Sequence, residues 1–250
     1  MTILYASLIF ILGSLLTSFY HVLGDRLPKF ESINGRSHCD TCKKELRWID
    51  IIPILGYLIN RGKCHFCKSK IPICHLLLEL LGGALFSISF LIYGFSLELA
   101  IVLIFISVFI IESISDQKYM IVLDRIWIIG IIPVIAIRII QGEFFTHLIS
   151  SAVLFSILFL IAYLSQKIYK KDALGGGDVK LFIFIGFILT LGQGLLALFL
   201  TSLFGFIYGM IKLRTKHQEF PLVPFIFLGV MISYLYGQDI INWYLSLLRM

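Results

Sequence analysis

The chain has 250 residues, of which 59% are hydrophobic and 14% charged. Soluble domains carry about 25% charged residues, so composition excludes an ordinary globular protein, as does a mean hydropathy of +0.96. The formal charge of +6 does not point to nucleic acid, because the basic residues lie between apolar runs, where they set membrane orientation, and no basic stripe is interleaved with aromatics.

Apolar runs of about 20 residues are long enough to cross the hydrocarbon. The first, 2–23, lacks the basic start of a signal peptide and carries its positive flank, Arg26 and Lys29, at the far end, so it reads as a spanning helix. Gly13, Ser14, Thr17 and Ser18 either give it a small-residue face suited to close helix packing or are merely small residues that a span tolerates. Loop 24–74 follows with ten Lys/Arg: Arg26, Lys29, Arg36, Lys43, Lys44, Arg47, Arg61, Lys63, Lys68 and Lys70. Further apolar runs cover 75–94, 97–115, 121–140, 144–165 and 221–237.

Residues 181–211 read as one long helix or as two short ones broken at Gly192-Gln193-Gly194. Charge decides for two. With the 24–74 loop inside, alternation puts Lys118, Arg125, Lys167, Lys170, Lys171 and Lys180 inside, and two helices add Lys212, Arg214 and Lys216. Only Arg138 and Arg249 of the 21 basic residues then face outward. The expected fold is an all-α polytopic membrane protein with about eight transmembrane helices and both termini outside. It divides into a first helix (1–23), a cytoplasmic zinc-ribbon-like loop domain (24–74) and a transmembrane core (75–250).

The loop holds Cys39-Asp40-Thr41-Cys42 and Cys64-His65-Phe66-Cys67, with 21 residues between the pairs. Two such knuckles converge four thiolates on a tetrahedral Zn²⁺; a reducing cytoplasm disfavours structural disulfides, and redox dithiols are the alternative. Four thiolates leave no open position for water, so this zinc is structural. His38 and His65 read as solvated neighbours, and Cys74 as a small buried hydrophobe.

Two aspartates, Asp116 and Asp178, sit where apolar runs meet basic loops. Helix capping accounts for Asp178, which follows Gly175-Gly176-Gly177, and solvation in a short loop accounts for Asp116. The functional alternative is an aspartic pair, in which one carboxylate activates water while the other, protonated, polarises a peptide carbonyl. Gly175 and Gly177 would let backbone pass close to an extended substrate. They form no phosphate loop. Lys180 snorkels to headgroups or helps hold a substrate. Asp124 rivals Asp116, and Glu79 and Glu112 are further acidic candidates within spans.

The ordered motifs resemble the type IV prepilin peptidases, GxGD aspartic proteases of bacterial inner membranes. They are Gly13-Ser14, Arg26-Leu27-Pro28, Arg36-Ser37-His38-Cys39, Leu46-Arg47-Trp48-Ile49-Asp50, Ile52-Pro53-Ile54-Leu55, Arg61-Gly62-Lys63-Cys64, Glu79-Leu80, the stretch 116–124, Gly175 to Leu181 and Pro221 to Gly229. The resemblance implies Asp116 and Asp178 as the catalytic pair and Cys39, Cys42, Cys64 and Cys67 as zinc ligands. Leu123 replaces the proline usual before Asp124, which favours Asp116. The implied activity is removal of a short basic leader from pilin-like precursors, after a glycine. In many members N-methylation with S-adenosylmethionine follows. The short form is closest to competence-type members of Gram-positive bacteria, placed in the cytoplasmic membrane with loop and aspartates on its inner side. The competing readings are a transporter that couples through intramembrane acids and a scaffold that docks partners through its zinc loop.

Overall fold

The computed structural model describes residues 1–170, 175–212 and 220–248; Lys171, Arg214, Lys216 and Arg249, used above for orientation, lie outside them. The described residues form α-helices and short turns with no strand beyond two isolated bridges. Six helices are long and apolar enough to cross a membrane. The protein is therefore a multi-pass membrane protein. The chain divides into two compact units, Met1–Ile114 and Ser115–Met250.

In the first unit α1 (Thr2–Arg26) packs on α4 (Ile73–Tyr93), and α5 (Leu97–Tyr119) runs on into the second unit. The small-residue face expected of α1 is what makes this contact close. Gly13, Ser14 and Thr17 are buried, and Gly82 and Gly83 of α4 leave no room for a Cβ against Thr17 and Ser14. Such backbone proximity is how helices associate where lipid removes the hydrophobic drive. A hydrogen bond from Tyr20 to Ser107 Oγ, 2.8 Å, joins α1 to α5.

Between α1 and α4 lie two short helices, α2 (Trp48–Ile51) and α3 (Leu55–Ile59), and the two cysteine knuckles. One carboxylate organises the helices. Asp50 accepts from the Arg47 guanidinium (Nη2 2.8 Å, Nε 3.1 Å), from the Arg47 backbone N–H at 3.1 Å and from Asn60 Nδ2 at 2.8 Å. The Arg47 guanidinium above all, and Asn60, hold the Asp50 carboxyl down at about 2. A depressed carboxyl stabilises the fold above its unfolded range, near 4, and loses that contribution as pH falls toward its folded value. We expect Asp50→Ala to lower amide protection across residues 47–60 by roughly tenfold, the size of one charge-assisted hydrogen bond, and lowering the pH from about 4 to about 2 to lower it likewise in the native chain, relative to the intrinsic exchange rate at each pH.

Cys74, expected to be buried, is exposed on the first turn of α4.

The second unit is built around a helix shorter than a bilayer. α6 (Asp124–Ile140), α7 (Phe144–Tyr169) and α9 (Leu191–Lys212) pack against α8 (Gly176–Ile188), and α10 (Val223–Leu248) pairs with α9. Eight of the thirteen residues of α8 are buried, as expected of a helix apolar all round. The region expected as 181–211 is indeed two helices, but the break falls at Leu189–Thr190, not at Gly192-Gln193-Gly194, which lie in the first turn of α9. Gln193 Oε1 accepts from the Thr190 N–H at 3.2 Å and from its hydroxyl at 3.1 Å, the Thr-x-x-Gln capping pattern. The run 239–248, unassigned from sequence, continues α10.

Candidate active site and metal centre

Asp116 is not a solvated loop residue. It lies in the last turn of α5, 5% exposed. The helix ends just beyond it, where Met120 takes a left-handed φ of 56° and Ser115 Oγ donates to Ile121 O at 2.6 Å. Asp116 Oδ2 accepts the backbone N–H of Val223, the first residue of α10, at 2.9 Å. A buried carboxylate at a helix N-terminus meets both an orphan donor and the positive end of the helix dipole.

Asp178 is not an N-cap. That position belongs to Gly175, and Asp178 is the third residue of α8. Its Oδ1 is buried with no hydrogen-bond partner among the described residues, and a Cβ at residue 175 would meet its Oδ2 at 2.8 Å. Burial acts on this carboxyl first, and Asp116 is the charged group close enough to act on it as well. Two acids remote in sequence thus share one site within the second unit.

The segment joining α5 to α6 brings them together. Val122 packs on Gly177 so closely that a Cβ there would lie 2.6 Å from Val122 Cβ. This packing gives Gly177 a reason independent of substrate passage. Asp124 opens α6 and is occupied elsewhere: its Oδ2 pairs with Lys180 Nζ at 2.7 Å and its Oδ1 accepts from Trp127 Nε1 at 3.3 Å. Lys180, expected to snorkel, makes that ion pair. Glu112 is fully buried, one turn before Asp116 in α5. Glu79 belongs to the first unit, where its Oε2 accepts the Ile54 N–H at 2.7 Å.

Sequence reasoning missed the far end of α8. Arg138, 4% exposed, donates to the carbonyls of Phe187 (3.2 Å) and Ile188 (2.8 Å) and pairs with Glu143 at 3.3 Å. Ser150 donates to Leu189 O at 3.0 Å and Ser151 to Ile183 O at 2.8 Å. Arg138 and Ser150 thereby satisfy the orphan carbonyls that end a buried helix. Arg138 was legible as an anomaly, a lone charge in an apolar run on the minority side of the charge tally.

In the first unit the Sγ atoms of Cys39, Cys42, Cys64 and Cys67 all lie within 4.8 Å of one another, and none is in a disulfide. Cys39 and Cys67 are 3.8 Å apart, the edge of a tetrahedron with metal–sulfur arms of about 2.3 Å. The knuckles repeat one geometry. Cys39 O and Cys64 O accept from Lys43 and Lys68, whose φ angles are 58° and 59°. The bridges His38–Glu45 and Lys63–Lys70 close the two turns. The backbone N–H of Cys42, above all, holds the Cys39 thiol down at about 6. The set can hold one metal ion.

Residues 11–93 match the bacterial peptidase A24 N-terminal domain and residues 103–210 the type IV leader peptidase family. Among curated proteins, a prepilin leader peptidase/N-methyltransferase of Bacillus subtilis is 35% identical over 96% of this chain and 98% of its own length. Proteins of the same name from Myxococcus xanthus and Vibrio cholerae are 31% and 29% identical, over 87% and 83% of this chain and 66% and 87% of theirs. No solved structure matches. With both aspartates in one site and these matches along its length, the chain belongs to the type IV leader peptidase family.

Proposed function

We propose that this chain is an aspartic endopeptidase that removes the short basic leader from type IV prepilin-like precursors, cleaving after glycine, and then methylates the new N-terminus. The observation that carries the peptidase reading is the shared site of Asp116 and Asp178. Asp116 Oδ2 is committed as an acceptor to Val223, so Asp116 acts as the base that takes a proton from water. Asp178 Oδ1 has no such commitment and carries the proton donated to the scissile carbonyl. The water oxygen bonds to the carbonyl carbon, and collapse of the tetrahedral adduct breaks the C–N bond, with the amine leaving protonated. Gly175 and Gly177 shape the backbone beside the acids, and the Lys180–Asp124 pair lies on the rim of the same helix ends. S-adenosylmethionine supplies the electrophilic methyl group for the second activity.

The chain crosses the membrane eight times when the shorter α6 and α8 are counted with the six long helices, with the 24–74 loop and both aspartates on the cytoplasmic face. This orientation is supported by the basic residues of the loops. A precursor with a basic leader and an apolar helix presents its junction at that border. The metal is Zn²⁺, held by Cys39, Cys42, Cys64 and Cys67 in a structural role. We read the chain as a competence-type member, as its resemblance to Gram-positive members of that kind implies, with pilin-like proteins of DNA uptake or secretion as its precursors.

Purified wild-type protein in liposomes, given a prepilin-like precursor and S-adenosylmethionine, is expected to yield a mature chain one methyl group heavier than the bare cleavage product. An uncut precursor overturns the peptidase reading; a cut but unmethylated one overturns only the second activity. Cys39→Ser with Cys64→Ser is expected to lose the bound metal and open residues 36–70 to proteolysis, since a structural zinc supplies folding free energy to a loop without a core. Metal analysis that finds no zinc in the wild type overturns the zinc assignment.

A further inference from the structure

The two short helices of the first unit are built inside out. Trp48, Ile49, Ile52, Leu55, Leu58 and Ile59 are 76%, 49%, 44%, 52%, 56% and 60% exposed. They lie on α2, on α3 and on Ile52 in the non-helical link between them, so both short helices leave apolar side chains uncovered. The polar groups of the same segment bond to one another instead: Asn60 donates to Asp50, whose side chain is 5% exposed, and the half-buried Arg47 donates to both. An apolar exterior over a hydrogen-bonded interior is the reverse of what water selects.

A second, independent contact fixes the height of this segment. The Ile54 N–H donates to Glu79 Oε2 at 2.7 Å, and Glu79 lies six residues inside α4, about 9 Å from its start at 1.5 Å per residue. α4, at 21 residues, matches the roughly 30 Å hydrocarbon thickness. A glutamate side chain reaches back only a few ångströms, so Ile54 sits at the border of the bilayer. Its φ of 65° is rare for a β-branched residue and aims the N–H at that carboxylate. Arg61 and Lys63, exposed at the end of the stripe, suit anionic headgroups.

We propose that Trp48–Ile59 is an interfacial anchor. Its apolar stripe is buried in the headgroup–acyl boundary of an anionic bilayer, and it holds the metal-binding knuckles against the membrane. The partner is lipid, because the Glu79 clasp holds the stripe at lipid depth.

Wild type and Trp48→Phe are reconstituted as full chains in vesicles containing anionic phospholipid, and the difference in their emission isolates Trp48. We expect that component to be lost when phospholipids brominated near the glycerol end are included, and to resist aqueous iodide. Iodide quenching without bromolipid quenching overturns the proposal. So does iodide protection that appears only after a precursor peptide is added, which would make the stripe a peptide-binding face. A photoactivatable phospholipid gives a readout on the wild type alone: crosslinks are expected in residues 48–59, and their absence from that peptide overturns the anchor.

Discussion

Asp116→Asn and Asp178→Asn each slow leader removal by about a thousandfold, the scale of a lost general acid or base, without loss of folded protein. Asn is the informative substitution at 116. Its amide oxygen still accepts the Val223 N–H that Asp116 Oδ2 accepts at 2.9 Å, so the start of α10 stays capped while the proton chemistry disappears. Asp116→Ala removes both and adds a loss of stability of about 1–3 kcal/mol from the orphaned buried donor. Asp124→Asn serves as the contrast. Its partner Lys180 and Asp124 itself are 48% and 46% exposed, and such a surface pair contributes about 0–1 kcal/mol, so processing changes by less than about tenfold. Leader removal scored on a gel at matched protein levels checks all of these. Normal processing by either Asp116→Asn or Asp178→Asn removes that residue from the chemistry.

Arg138→Met has the largest expected effect on stability, about 2–5 kcal/mol. The ion pair accounts for little of it, because Glu143 is 55% exposed and a solvated partner loses little on being left alone. The cost comes from the carbonyls of Phe187 and Ile188, which Arg138 caps from a buried position. Each buried acceptor left unsatisfied costs about 1–3 kcal/mol. Glu143→Gln, by the same reasoning, shifts stability by less than about 1 kcal/mol. Thermal unfolding of the two variants in one detergent separates these accounts: equal shifts would mean that the ion pair, and not the carbonyl cap, carries the interaction. The Arg138 variant also loses peptidase activity, since Asp178 rides on the helix whose other end is released.

What the sequence made legible follows from local chemistry. Apolar runs marked the helices, paired cysteines marked the four-thiol cluster, and small residues in α1 marked the face that meets α4. The helix break was misread because glycines drew attention away from Thr190-Leu191-Gly192-Gln193, whose first and last residues form the cap. Capping and solvation failed for the two aspartates for a different reason. The Asp116–Val223 bond spans 107 positions, and the Arg138 cap joins residues 49 and 50 apart. No periodicity encodes such contacts. Position marked Asp116 and Asp178 as unusual, but only tertiary packing makes them one site.

The brevity of α8 has a mechanical consequence. Thirteen residues span about 20 Å, against roughly 30 Å of hydrocarbon. Polar groups finish the helix at both ends, Asp178 at one and Arg138 and Ser150 at the other. On the eight-crossing reading proposed above, a septum this thin draws water and headgroups inward and thins the adjoining leaflets. Acyl-chain length therefore becomes a load on the second unit: thick membranes strain the helix that carries Asp178, and thin ones relax it.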